Sequence, residues 1–149
     1  MVRNAVLMLL VMGSPLAAQT DSPDLNWVTA NAPHGFDITP DGDIWINLSK
    51  VGKKDDYAVR ADDLKQARET HNKFPSFWVR GYHKRNPKAR YRVSKTRYTV
   101  SCFQKTISTS TIAYYDAEDN MLWREGSTFA QDIIPGTYGD EYYRLFCVP

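Results

Sequence analysis

Apolar and polar positions alternate on both sides of Thr39-Pro40-Asp41-Gly42-Asp43: Phe36, Asp37 and Ile38 precede it, and Ile44, Trp45, Ile46, Asn47 and Leu48 follow it. A period of two around a Pro-Asp-Gly turn predicts a β-hairpin, with Ile44, Ile46 and Leu48 on one face. The period then changes. Tyr57, Leu64, Ala67 and His71 recur at helical spacing with charges between them, which predicts a surface helix over 61–70, ended before Pro75.

From Phe77 the period of two returns. Residues 77–82 read as one strand, Asn86-Pro87 as a turn, and 89–103 as a long second strand in which Tyr98, Val100 and Cys102 share a face. Tyr91 and Val93 fall on the opposite side of that strand, so a bulge is expected near Lys95. The β-branched stretch 106–115 predicts a third strand, and the acidic turn 116–120 leads into a fourth over 121–124. Pro135-Gly136 ends the sheet. Thr137 is placed to cap a closing helix over 138–146, with Asp140 in its first turn and Tyr138, Tyr142, Leu145 and Phe146 along one side. The expected fold is α+β: a single antiparallel β-sheet meander with a helix after the first hairpin and a C-terminal helix.

The start of the chain follows another logic. Arg3 supplies a positive charge, 5–12 is an unbroken apolar run, and Gly13-Ser14-Pro15 interrupts it before Ala17 and Ala18. This is the pattern of a signal peptide over 1–18, cut after Ala18. A membrane anchor would need an apolar run of about 18 residues or more. The mature chain is therefore expected to be periplasmic, secreted or at the cell surface, and not membrane-spanning. Residues 19–26 read as a flexible polar arm, and 27–149 as one domain, large enough to bury about two-thirds of its unfolded surface. No cysteine follows the cleavage position, where a bacterial lipoprotein would carry one. The export route bears on Cys102 and Cys147, the only two cysteines. In an oxidising compartment an even, minimal count reads as one disulfide, which would staple the closing helix to the sheet and stabilise the fold by about 4 kcal/mol.

Formal net charge is only +2, yet the charges are segregated. No acidic residue lies between Glu69 and Asp116, an interval rich in Lys and Arg. The candidate binding residues are Arg80, Lys84, Arg85, Lys88, Arg90, Arg92, Lys95 and Arg97, with Tyr82, His83 and Tyr91 interleaved around a hairpin tip. Such a patch suits an anionic glycan, lipopolysaccharide phosphates or an acidic protein partner, and export makes intracellular nucleic acid the least fitting one. The alternative reading is that basic edge strands keep the sheet from pairing with other chains.

Enzyme signatures are missing. His34, His71 and His83 have no metal-ligand spacing and are expected at exposed, solvated positions. Asp41, Asp43, Asp116, Glu118 and Asp119 lie in turns, whose geometry they serve. Ser127 lacks the second glycine of a nucleophile elbow, and the context of neither cysteine suggests a histidine base. Neither a cofactor nor a metal is expected.

The order of segments is informative as a set: Trp27-Val28, Ile46-Asn47-Leu48-Ser49-Lys50-Val51, Trp78-Val79-Arg80, Tyr98-Thr99-Val100-Ser101-Cys102, Tyr114-Tyr115-Asp116, Ile134-Pro135-Gly136-Thr137-Tyr138-Gly139-Asp140 and a near-terminal Cys147. Over nearly all of the mature chain this order resembles the surface-adhesin protein E family. The resemblance implies a small antiparallel sheet packed with helices, a Cys102–Cys147 bridge, and adhesion to host cell-surface and extracellular-matrix proteins. The chain departs from the family pattern in an insertion over 52–74 and in the missing lipidation cysteine. Two functions are thus expected: a non-enzymatic exported binding protein, or a periplasmic accessory protein acting by protein–protein contact, through its sheet edge or as a homodimer.

Overall fold

The computed structural model describes residues 24–48, 55–84 and 86–149; the expected signal peptide, the expected arm up to residue 23 and Arg85 lie outside the described residues. Helix α1 (Leu25–Asn31) starts where the Asp24 carboxylate accepts the Asn26 N–H at 2.9 Å, so Leu25 and Asn26, assigned to the arm from sequence, are helical. Strands β1 (Phe36–Ile38) and β2 (Ile44–Asn47) form the expected hairpin, with Phe36 opposite Ile46 and Ile38 opposite Ile44. Gly42 takes φ 89° in its turn, a conformation that glycine adopts without penalty.

Strand β3 (Asp56–Arg60) runs straight into α2 (Ala61–Thr70). The sheet continues through β4 (Ser76–Tyr82), β5 (Val93–Ser101), β6 (Thr106–Tyr115) and β7 (Met121–Glu125). The two-residue β8 (Gln131–Asp132) pairs with the start of β6, and α3 (Tyr138–Cys147) closes the chain. Strands β1 to β7 lie side by side in chain order, all antiparallel, so the expected meander is observed with β3 and β8 added to it.

The predicted bulge is displaced. The register shifts between Arg97 and Tyr98, which face Thr111 and Thr109, so the extra residue is Ser110 of β6 and β5 itself runs unbroken. The core face of β5 is carried through its first half by Ser94 and Thr96, both buried. These polar side chains hide the phase from a reading based on apolar residues.

One face of the sheet carries the core. Val28 of α1, Leu64 and Ala67 of α2, and Tyr142 and Phe146 of α3 pack on Ile44, Ile46, Val59, Phe77, Val79 and Val100. Phe77 stacks on Phe146 at 3.9 Å between ring centroids and meets Tyr142 edge-on at 5.5 Å. Full burial of such side chains contributes about 1.5–3 kcal/mol each. Asp63 is buried beside them and satisfied: it accepts from Arg60 at 2.7 Å and from the Trp78 N–H at 2.8 Å, where β3 has ended and offers β4 no partner. The Thr137 hydroxyl caps α3 by accepting the Asp140 N–H. Cys102, just past β5, is bonded to Cys147, the last residue of α3.

Candidate functional site

Strand alternation sends Phe77 and Val79 into the core and Trp78, Arg80 and Tyr82 to the opposite, helix-free face. Register then builds rows across that open face. Trp45 pairs with Arg60, and Trp78 with Arg97. In the next row Arg80 faces Lys95, which faces Ala113; in a third, Tyr82 faces Val93, which faces Tyr115. Cations and rings therefore alternate. The Arg80 guanidinium carbon lies 4.5 Å from the Tyr82 ring centre and 6.0 Å from that of Trp45. Arg97 lies 5.9 Å from Trp78, Lys95 4.8 Å from Tyr115 and Lys84 5.9 Å from Tyr82. Each such contact is worth about 0.5–1 kcal/mol at an exposed site.

Of the residues proposed from sequence, Arg80, Lys95 and Arg97 converge on this face, and Lys84 reaches it over Tyr82. Lys88 and Arg90 are exposed on the 83–92 loop. Arg92 is committed elsewhere: its guanidinium donates to the carbonyls of Ala89 at 2.8 Å and Tyr91 at 3.1 Å and so shapes the loop. Arg85 lies outside the described residues. The partners missed from sequence are Trp45, Trp78 and Tyr115. Their signal was present: in an alternating strand such as 44–48, a tryptophan between two core isoleucines must point away from the core.

The face is not uniformly basic. The Thr39 hydroxyl, the Asp43 N–H and, at longer range, Lys95 hold the Asp41 carboxyl below the usual carboxylate range. Burial raises the Tyr82 phenol; Arg80 acts against that shift, and Asp37 and Asp119 add to it. Two acidic turns therefore border the cations. Asp116 serves its turn as expected, accepting the N–H groups of Glu118 at 3.0 Å and Asn120 at 2.9 Å.

His83 corrects the expectation of a solvated histidine, since it is 4% exposed. Its Nε2 is 2.8 Å from the Ser94 hydroxyl and its Nδ1 3.1 Å from the Asp55 carboxylate, while the Tyr57 and Tyr91 rings meet it edge-on. The order Asp–His–Ser is that of a nucleophilic triad. Ser94, however, is 7% exposed, as the second residue of β5. A Cβ added to Gly81 would stand 2.7 Å from Ser94 Oγ, 2.9 Å from His83 Nε2 and 2.9 Å from the Tyr57 ring, so the space over the serine is already filled. The cluster is a buried polar brace that ties the base of the β4–β5 hairpin to the start of β3. The chain matches no protein-family model, no curated protein and no solved structure.

Proposed function

We propose that this chain is an exported, non-enzymatic binding protein that holds an anionic glycan on the open face of its sheet. The observation that carries the reading is the interleaving of Arg80, Lys95 and Arg97 with the half-buried Trp78, Tyr82 and Tyr115 on one helix-free surface, over the buried Trp45. Aromatic rings offer flat apolar area to sugar rings, and the cations meet their acidic substituents. The leader and the resemblance to the surface-adhesin protein E family support an extracytoplasmic binding role of this class.

Clustered cations act together on a polyanion by releasing its counterions, so retention on immobilised heparin should fall steeply with salt. The triple variant Arg80→Gln, Lys95→Gln, Arg97→Gln is expected to elute at much lower salt than wild type with unchanged circular dichroism. Replacing Lys84, Arg85, Lys88 and Arg90 together with Ser should move elution in the same direction by removing the loop's share. Co-elution of the triple variant with wild type would return these cations to a role in protecting the sheet. The accessory-protein reading would then lead, acting through the edge strand β7, whose Met121, Leu122 and Trp123 are all exposed.

A further inference from the structure

One part of the open face is recessed. Thr39 and Asp41 of the β1–β2 turn and Asp119 of the β6–β7 turn stand over Trp45, Arg80 and Lys95 and border a cavity of about 180 Å³. Trp45 forms its wall and is 3% exposed. Among the described residues neither Arg80 nor Lys95 forms an ion pair. The Arg80 guanidinium instead lies over the Tyr82 and Trp45 rings. A planar fork of donors is matched best by a carboxylate. The rim has the opposite character, because Asp41 and Asp119 can accept hydrogen bonds and repel additional negative charge.

We infer, on the footing of the glycan-binding reading above, that this recess takes one sugar acid with free hydroxyls, a uronate residue, in preference to a sulfated sugar. Its carboxylate meets Arg80 beside Lys95, and its hydroxyls donate to Asp41 and Asp119. A sugar whose hydroxyls carry sulfate brings no such donors and sets extra negative charge against two carboxylates. The volume lies below the roughly 300–1,000 Å³ of sites for drug-sized ligands, so the recess admits a single unit and the rest of a chain runs along the open face.

Calorimetric titration with three length-matched probes tests this: oligogalacturonate, its carboxyl-reduced form and dextran sulfate, each at the same moderate salt. Wild type is expected to bind oligogalacturonate at least tenfold more tightly than either of the others. Arg80→Lys keeps the charge and removes the fork, so it should weaken oligogalacturonate about tenfold and leave dextran sulfate within twofold. Dextran sulfate binding as tightly as oligogalacturonate, or Arg80→Lys weakening both alike, would overturn the uronate assignment and leave the open-face reading standing. Binding of none of the three would overturn both.

Discussion

Replacing Cys102 and Cys147 together with Ser should lower stability chiefly through the unfolded state. The two residues are separated by 45 positions. In the chain-entropy model a bridge across a loop of that length removes about 13 cal/mol/K from the denatured ensemble, or about 4 kcal/mol at 25 °C. Native α3 has other attachments. Phe146 stacks on Phe77 at 3.9 Å, and Tyr142 is buried against Phe77 and Tyr98. Burial of these two side chains contributes about 1.5–3 kcal/mol each, enough to keep the helix docked once the bond is gone. The double variant should therefore keep the near-ultraviolet circular dichroism of wild type in buffer, while its urea midpoint falls by about 2 M for a slope near 2 kcal/mol/M. Reduced wild type should unfold at the variant's midpoint. A midpoint drop below about 0.5 M would refute the entropic argument. Loss of the near-ultraviolet signal before any denaturant is added would show that the bond, not the packing, holds α3 in place.

Two further predictions concern the scaffold of the site. Gly81→Ala sets a Cβ 2.7 Å from Ser94 Oγ and 2.9 Å from both His83 Nε2 and Tyr57, so thermal melts should show a loss of about 1–3 kcal/mol, and a melt matching wild type would remove the brace from the account. The Asp41 carboxyl is held below its ordinary range by the Thr39 hydroxyl, so its folded pKa lies below its unfolded one. The stability it contributes is then present above the unfolded value, about 3.9, and is lost as pH falls through the folded one. Urea midpoints of wild type and Asp41→Asn should accordingly differ at neutral pH and converge toward pH 3, and a gap constant over that range would contradict the assignment.

The elements legible in the sequence were those whose periodicity and turn chemistry agree. The first hairpin, α2 over Ala61–Thr70, β6 over Thr106–Tyr115 and the Thr137-capped α3 all have a clear period and a clear boundary. Strand β3 had no boundary to show, since Arg60 passes directly into Ala61 and Tyr57 falls by coincidence into the spacing of α2. The phase of β5 was concealed by buried Ser94 and Thr96, which a hydrophobic pattern counts as exposed. The burial of His83 is hidden for a related reason: it stands between Tyr82 and Lys84, and the groups it meets, the Ser94 hydroxyl and the Asp55 carboxylate, come from other strand ends. Charge segregation over 70–115 pointed to the open face, but only strand register brings Trp45, Trp78 and Tyr115 beside the cations. Arg92 shows the converse, a cation counted as surface charge that the loop's own carbonyls occupy.

Whether the open face of the sheet holds a glycan is most directly read by a ¹⁵N-edited NMR titration of the protein with a heparin-derived oligosaccharide. The largest amide and tryptophan indole shifts are expected on Trp45, Trp78, Arg80, Tyr82, Lys95 and Arg97, with the Phe77–Phe146 core and the α2 surface silent. Shifts centred on β7 or on the helices, with the open face unchanged, would contradict it.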